Sequence, residues 1–269
     1  MLKSRKGEIM ITIRITGKEA TLFEKTGVDE LYGVYKEEYK EGESIEVEFS
    51  NEGLYWISLD TSLYPALLWC KGKYKLPIPF GDAKLPYPPQ SFSGSIHLIQ
   101  IRKAKDEERL NYRNLALNPF DWHGNNALYP HSWANVETRG ESVFASRNAI
   151  DGFIASDMHG VFPWSSWGIN RNPDAEITID FGRPVDIDKV VFYNRADFPH
   201  DAWWTEATVK FSDGEARIAG FEKKDGAQPA LSVNKKGITS LTVSKLIKAD
   251  DPSPFPALVQ LEAWGKESE

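Results

Sequence analysis

What most constrains this chain is a two-residue alternation that never lengthens into a helix. ITIRIT (11–16) and SIEVEF (44–49) set an apolar residue at every second position; in the latter Ile45, Val47 and Phe49 share one face, Glu46 and Glu48 the other. LYWISLD (54–60), ALLWC (66–70) and SIHLIQIRKA (95–104) read as further strands. Later come EITIDFG (176–182), KVVFYNR (189–195), ATVKFSDG (207–214), EARIAGF (215–221), ITSLTVSK (238–245) and ALVQLEAWG (257–265), each bounded by Gly, Asp or Pro. Short strands punctuated in this way build sandwiches. KDEERLNY (105–112) alone has helical character and reads as a connector. The fold class is therefore all-β, with two tandem β-sandwich domains, residues 1–110 and 111–269. The proline-rich stretch 76–92 excludes a central strand. It reads as an irregular loop packed against the second domain, because Phe80, Tyr87 and Phe92 need cover. The acidic residues between Asp29 and Glu52 read as a solvated strand face.

Length and charge narrow the function. A chain of 269 residues carries enough apolar content, 41%, for two cores. A formal net charge of −7 and a pI near 5.4 argue against nucleic acid or an anionic membrane as the main partner. No apolar run is long enough for a membrane-spanning helix. The single cysteine, Cys70, allows no internal disulfide and sits in the apolar run LLWCK, so it reads as a buried, inert thiol. With no apolar signal core near the N-terminus, the chain as it stands reads as cytoplasmic; a secreted protein whose leader had been removed would read the same.

Function concentrates in the later half. It holds His123, His131, His159 and His200 and seven of the nine tryptophans, most of them between strands. The densest stretch is 190–214, VVFYNRADFPHDAWWTEATVKFSDG. Two apolar runs there flank Arg195, Asp197, His200, Asp201, Trp203 and Trp204. Charge, imidazole and indole on a loop between rigid strands suit a binding site. Adjacent tryptophans point opposite ways from an extended segment, so one is a stacking platform and the other an anchor in the core. Sugars use such surfaces: C–H faces stack on aromatic rings while Arg and Asp fix the hydroxyls. A loop whose tryptophans fold back while its charges face water is the plainer alternative.

From Asn114 onward the chain resembles the discoidin, or coagulation-factor type C, family, a galactose-binding-like jelly roll with many carbohydrate-binding members. The resemblance rests on Asn114-Leu115-Ala116, the block ASRNAIDG (145–152), Trp164-Ser165-Ser166-Trp167, ITIDFG (177–182), VDIDKV (185–190), FSDG (211–214) and LEAWG (261–265). Residues 1–110 are placed in no family and look only like a small β-sandwich of the sort appended to sugar-active proteins. The resemblance implies a ligand site in loops at one end of the sandwich, with His131 and Trp133 facing the Arg195 loop. It also implies a structural calcium. Asp151 matches the family's ligating aspartate, whereas Gln260 stands where a glutamate is usual, with Glu262 two residues on. A carboxylate and loop carbonyls suit that hard cation; an Asp-Gly turn without metal is the alternative.

The expected function is non-catalytic carbohydrate binding through Arg195, Asp197, His200, Asp201, Trp203, Trp204, His131 and Trp133, with calcium at Asp151 and Gln260. Two alternatives stand beside it. One is a glycan-active hydrolase or lyase, with carboxylates among Asp121, Asp197 and Asp201 and with His200 as base. The other is a module for a protein partner, since fold alone does not separate these. The histidines lack the spacing of a zinc motif, and no phosphate-cradling glycine loop or nucleophile elbow is present.

Overall fold

A computed structural model describes residues 8–157, 160–195, 202–224 and 226–268. The first unit contains β1 (Met10–Thr16), β2 (Thr21–Val28), β3 (Glu30–Tyr35), β4 (Ser44–Phe49), β5 (Gly53–Ser58), β6 (Ala66–Cys70), β7 (Lys73–Pro77) and β8 (His97–Lys103). They form two antiparallel sheets, β2-β1-β4-β7 and a second in which β6, β5, β8 and β3 follow one another. Alternation decides which side chains meet. Ile11, Ile13, Ile15, Ile45, Val47 and Phe49 come from one sheet; Leu31, Tyr55, Ile57, Leu68, Ile99 and Ile101 come from the other. Each such burial contributes about 1.5–3 kcal/mol. Pro77 ends β7, the outer strand of its sheet, where a missing N–H costs no ladder bond. Cys70 is fully buried, and burial pushes its thiol pKa up.

The acidic stretch departs from the expected solvated face at two positions. Glu46 is buried between Lys73 (2.6 Å) and Lys75 (3.2 Å) on the neighbouring strand. Burial alone would raise its pKa, but the two ammonium groups outweigh it and hold it low. Glu43 is buried too and accepts the Lys40 N–H at 3.0 Å.

A short helix α1 (Asp106–Leu110) links the units, its Glu108 accepting the Lys105 N–H at 2.9 Å. The second unit contains β9 (Arg113–Asn114), β10 (Leu128–Tyr129), β11 (His131–Ala134), β12 (Trp167–Gly168), β13 (Ile177–Asn194), β14 (Trp204–Phe211), β15 (Ala216–Gly220), β16 (Leu231–Lys248) and β17 (Ala257–Glu267). The runs 176–182 and 189–195, read as separate strands, fall largely on one 18-residue strand, Ile177–Asn194. β16 follows β13 along both halves. On the opposite edge of β13, β11 covers 177–180 and β17 covers 185–194. The register slips between Asp180 and Val185, where Gly182 takes φ +67° with its Cα against the Tyr129 ring. A second slip after Ile187 shifts the alternation by one residue, so Val190 and Phe192 face the same core as Ile177, Ile179 and Phe181. The result is a jelly roll whose two sheets share β13 and β16.

Residues 115–130 stitch the units together. Phe120, Ala127 and Leu128 fill the first core rather than the second, and β10 pairs with β6 through Leu128↔Cys70 and Tyr129↔Trp69. Trp122 Nε1 donates to the Lys75 carbonyl at 2.8 Å. Arg147, from the ASRNAIDG block, is buried in this seam. Its guanidinium lies 4.4 Å from the Tyr87 ring centroid and donates to the carbonyls of Asp121 (2.9 Å) and Pro119 (3.1 Å). The proline-rich loop meets the second unit through Arg147 on Tyr87 and through the Phe162 N–H, which donates to the Leu85 carbonyl at 2.8 Å, while Tyr87 and Phe92 themselves are buried in the first unit's core.

Candidate functional site

Arg195 is the residue around which the site assembles. It follows the last residue of β13, and its own N–H donates to the Ala257 carbonyl at 3.0 Å, which ties it to the start of β17. Its guanidinium is buried 4.5 Å from the Trp164 ring centroid and donates to the Phe255 carbonyl at 3.0 Å. A planar guanidinium on an indole face is held in one plane, so its edges point in fixed directions. Phe144 meets Trp164 edge-on, with centroids 5.3 Å apart at 74°.

Above this floor opens a pocket of about 100 Å³. Thr138 and Gly168 form one wall, where a Cβ on Gly168 would come within 2.7 Å of the Thr138 hydroxyl and 2.9 Å of the Phe144 ring. The rim carries exposed Arg139, Asn170 and Arg171. Arg139 lies 5.3 Å from the Phe144 centroid and is held by Glu141 at 2.6 Å. Arg171 lies 4.4 Å from the Phe255 centroid. Asn170 donates its N–H to Thr138 Oγ1 at 2.9 Å. Among the described residues six non-glycines have positive φ, and three of them are these rim residues: Arg139 (55°), Asn170 (50°) and Arg171 (60°). Such conformations cost of order 1–3 kcal/mol each and persist only where the surroundings impose them.

The other expected site residues scatter. Trp204 is fully inside the second core, while Trp203 is half-buried and packs on the same core from its edge, the divergence expected of neighbours. Asp197, His200 and Asp201 lie outside the described residues, as does His159. His131 and Trp133 ride on β11 against Asp180 and Thr178, and the structure does not place them in the Arg195 pocket. His131 Nδ1 instead meets Asp121 Oδ1 at 2.7 Å. Asp121 is fully buried and also receives the Ser132 N–H and hydroxyl (both 2.8 Å) and the Asn125 amide (2.7 Å), so its oxygens serve the seam. Burial would lower the His131 pKa, but the hydrogen bond and charge of Asp121 outweigh it and the net shift is upward.

Asp151 is buried beside the tight turn at Gly152 (φ +92°), where its Oδ1 accepts the Phe153 N–H at 2.9 Å and its Oδ2 has no hydrogen-bond partner. Burial pushes its pKa up to about 7 against the opposing charge of Arg147. Gln260 Oε1 is taken by the Gly152 N–H at 3.1 Å. The orphaned Asp151 Oδ2 could serve a hard cation here, and the Gln260 oxygen already accepts the Gly152 N–H. Among the described residues no cluster of three or more His, Cys, Asp or Glu could hold a metal.

Thr138, Arg139, Asn170, Arg171 and Phe255 escaped the sequence reading. Arg139-Gly140 and Asn170-Arg171-Asn172-Pro173 carry turn chemistry, which announces a bend but no ligand.

Residues 131–230 match the family model of the F5/8 type C domain, the family that the motifs from Asn114 onward resemble. Solved structures similar to the chain include a histidine mutant of the lectin binding domain of Lectinolysin complexed with Lewis b. That domain has 18% identity and a TM-score of 0.41, covering 58% of this chain and 99% of its own. A chitosan-binding module from a chitosanase/glucanase of Paenibacillus sp. has 15% identity and a TM-score of 0.38, covering 57% and 99%. A fucose binding module of Streptococcus pneumoniae has 16% identity and a TM-score of 0.38, covering 58% and 99%. No curated protein matches. No helix among the described residues is long and apolar enough to cross a membrane.

Proposed function

We propose that the protein binds a glycan, without transforming it, in the pocket around Arg195 and Trp164. The observation that carries this reading is the clustering of backbone strain: Arg139, Asn170 and Arg171 all hold left-handed conformations on one rim. Strain of this kind gathers at ligand clamps, where it fixes donor groups before the ligand arrives. The groups so fixed include the Arg171 guanidinium and the Asn170 amide, which donate to vicinal hydroxyls beside the Glu141-held Arg139, and the buried Arg195 lies at the floor. The match of residues 131–230 to the F5/8 type C domain supports the same reading.

The test is a glycan array followed by calorimetric titration of the best hits. Arg171→Ala and Asn170→Ala alter exposed side chains. They should weaken binding at least tenfold, about 1.4 kcal/mol, with the melting temperature little changed. Hits that bind both variants like the parent would move the site away from this pocket. New reducing ends or unsaturated products during incubation would favour a glycan-active enzyme instead.

A calcium ion at Asp151 is a second, separable proposal, supported by the orphaned Oδ2. Its role would be structural, tying the turn after Asp151 to the sheet. Millimolar calcium should raise the melting temperature of the parent, by mass action on the native state, and leave Asp151→Ala unmoved. Equal melting with calcium and with chelator counts against it.

A further inference from the structure

We propose that the site continues into the first unit, and that a groove between the two units binds the second and later sugars of an oligosaccharide; this rests on the glycan reading above. The Arg195 pocket alone, about 100 Å³, is below the roughly 300–1,000 Å³ of most ligand sites. Beside it lies a groove of about 490 Å³. The two share Arg139, Phe144 and Trp164, so a ligand leaving the pocket over Arg139 enters the groove directly.

The far wall of the groove comes from the other unit. Asp82, Ala83 and Leu85 belong to the proline-rich loop and line the groove together with residues 139–144 of the second unit. The walls are fixed to each other. The Ser142 hydroxyl donates to the Asp82 carbonyl, and the Phe162 N–H donates to the Leu85 carbonyl at 2.8 Å. Arg147 stacked on Tyr87 pins the same loop from beneath. The groove is therefore preformed, and no ordering of one unit on the other opposes binding.

Its chemistry suits sugar rings. Asp82 offers a carboxylate acceptor for hydroxyl donors, and exposed Leu85 offers apolar surface for C–H faces. Arg139 sits at the junction, held in a fixed direction by a bidentate pair with Glu141 (2.6 and 2.7 Å), where it can reach a ring on either side. The occupant is thus an extended hydroxyl-rich chain whose terminal ring fills the Arg195 pocket.

The experiment compares matched monosaccharides and tetrasaccharides ending in galactose, fucose or glucosamine, titrated into the full chain. The parent should bind one tetrasaccharide at least tenfold more tightly than its terminal monosaccharide. Ala83→Trp, which fills the groove from an exposed position, should abolish that gain and leave monosaccharide affinity unchanged. Arg171→Ala should lower both affinities together. Equal binding of the two lengths by the parent, or a gain that survives Ala83→Trp, overturns the groove while leaving the pocket standing. Binding of no saccharide of either length overturns both.

Discussion

The two sandwiches solve the same problem with different backbones. In the first, sheets of short strands close over one apolar cluster, and its long proline-rich loop buries its own aromatics. Of the six positive-φ non-glycines among the described residues, it has only Asp29 and Phe92, far apart in sequence. In the second, two 18-residue strands turn a corner, and one end of the sandwich gathers Arg139, Asn170 and Arg171 in strained conformations over a buried guanidinium. The first unit spends its loops on packing; the second spends stability on fixing polar groups at a rim. The contrast points to the proposed ligand end more directly than the density of aromatic residues does, because Trp167 and Trp204 are core.

The largest test of this contrast is to separate the units. A chain beginning at residue 111 loses the core that Phe120, Ala127 and Leu128 fill and the Tyr87 face on which Arg147 lies. It should fail to unfold cooperatively, or should bind a dye specific for exposed apolar surface. Cooperative melting near the parent's temperature would show that the seam is dispensable.

A smaller effect separates core from edge. Trp204→Ala should cost about 3–5 kcal/mol as a large buried aromatic. Trp203→Ala should cost well under half of that, since its ring is partly solvated. Denaturant titration of both variants measures the difference, and equal losses would contradict the assignment of anchor and edge.

Arg171→Gly tests the strain directly. Glycine accepts φ 60° without a Cβ clash, so the variant should gain about 0.5–1 kcal/mol in stability while binding glycan more weakly. A loss of stability would mean that the Phe255 contact, not strain, dominates that position.

The smallest effect belongs to the seam. His131 has a pKa raised above its ordinary 6.5, so the folded state holds its proton more tightly than the unfolded chain. That stabilisation is full below 6.5 and is lost as pH rises through the raised value. The melting temperature of the parent should fall across that window more steeply than that of His131→Gln. Parallel profiles would leave Asp121 and His131 as a neutral hydrogen-bonded pair.

The sequence alone determined the architecture. Alternation is a local property, so Ile11, Ile13 and Ile15, or Ile177 and Ile179, declared their buried face without reference to any partner. The motifs from Asn114 onward carried the jelly roll in the same way, and the rings in the proline-rich loop foretold that it must be covered. Only the tertiary structure decided the site. Arg195, the centre of the proposed site, stands out in the sequence because charge after an apolar strand is conspicuous, but the residues that line its pocket come from positions near 138, 164, 170 and 255. Tryptophan spacing does not say which indole is covered: Trp164 became a floor because Arg195 lies on it and Phe144 meets its edge. His131 looked like a ligand residue until Asp121, ten positions earlier, took its imidazole into the seam. Strand faces depend on neighbours along the chain, whereas a pocket depends on which distant loops converge, and that is set by the corner that β13 and β16 turn together.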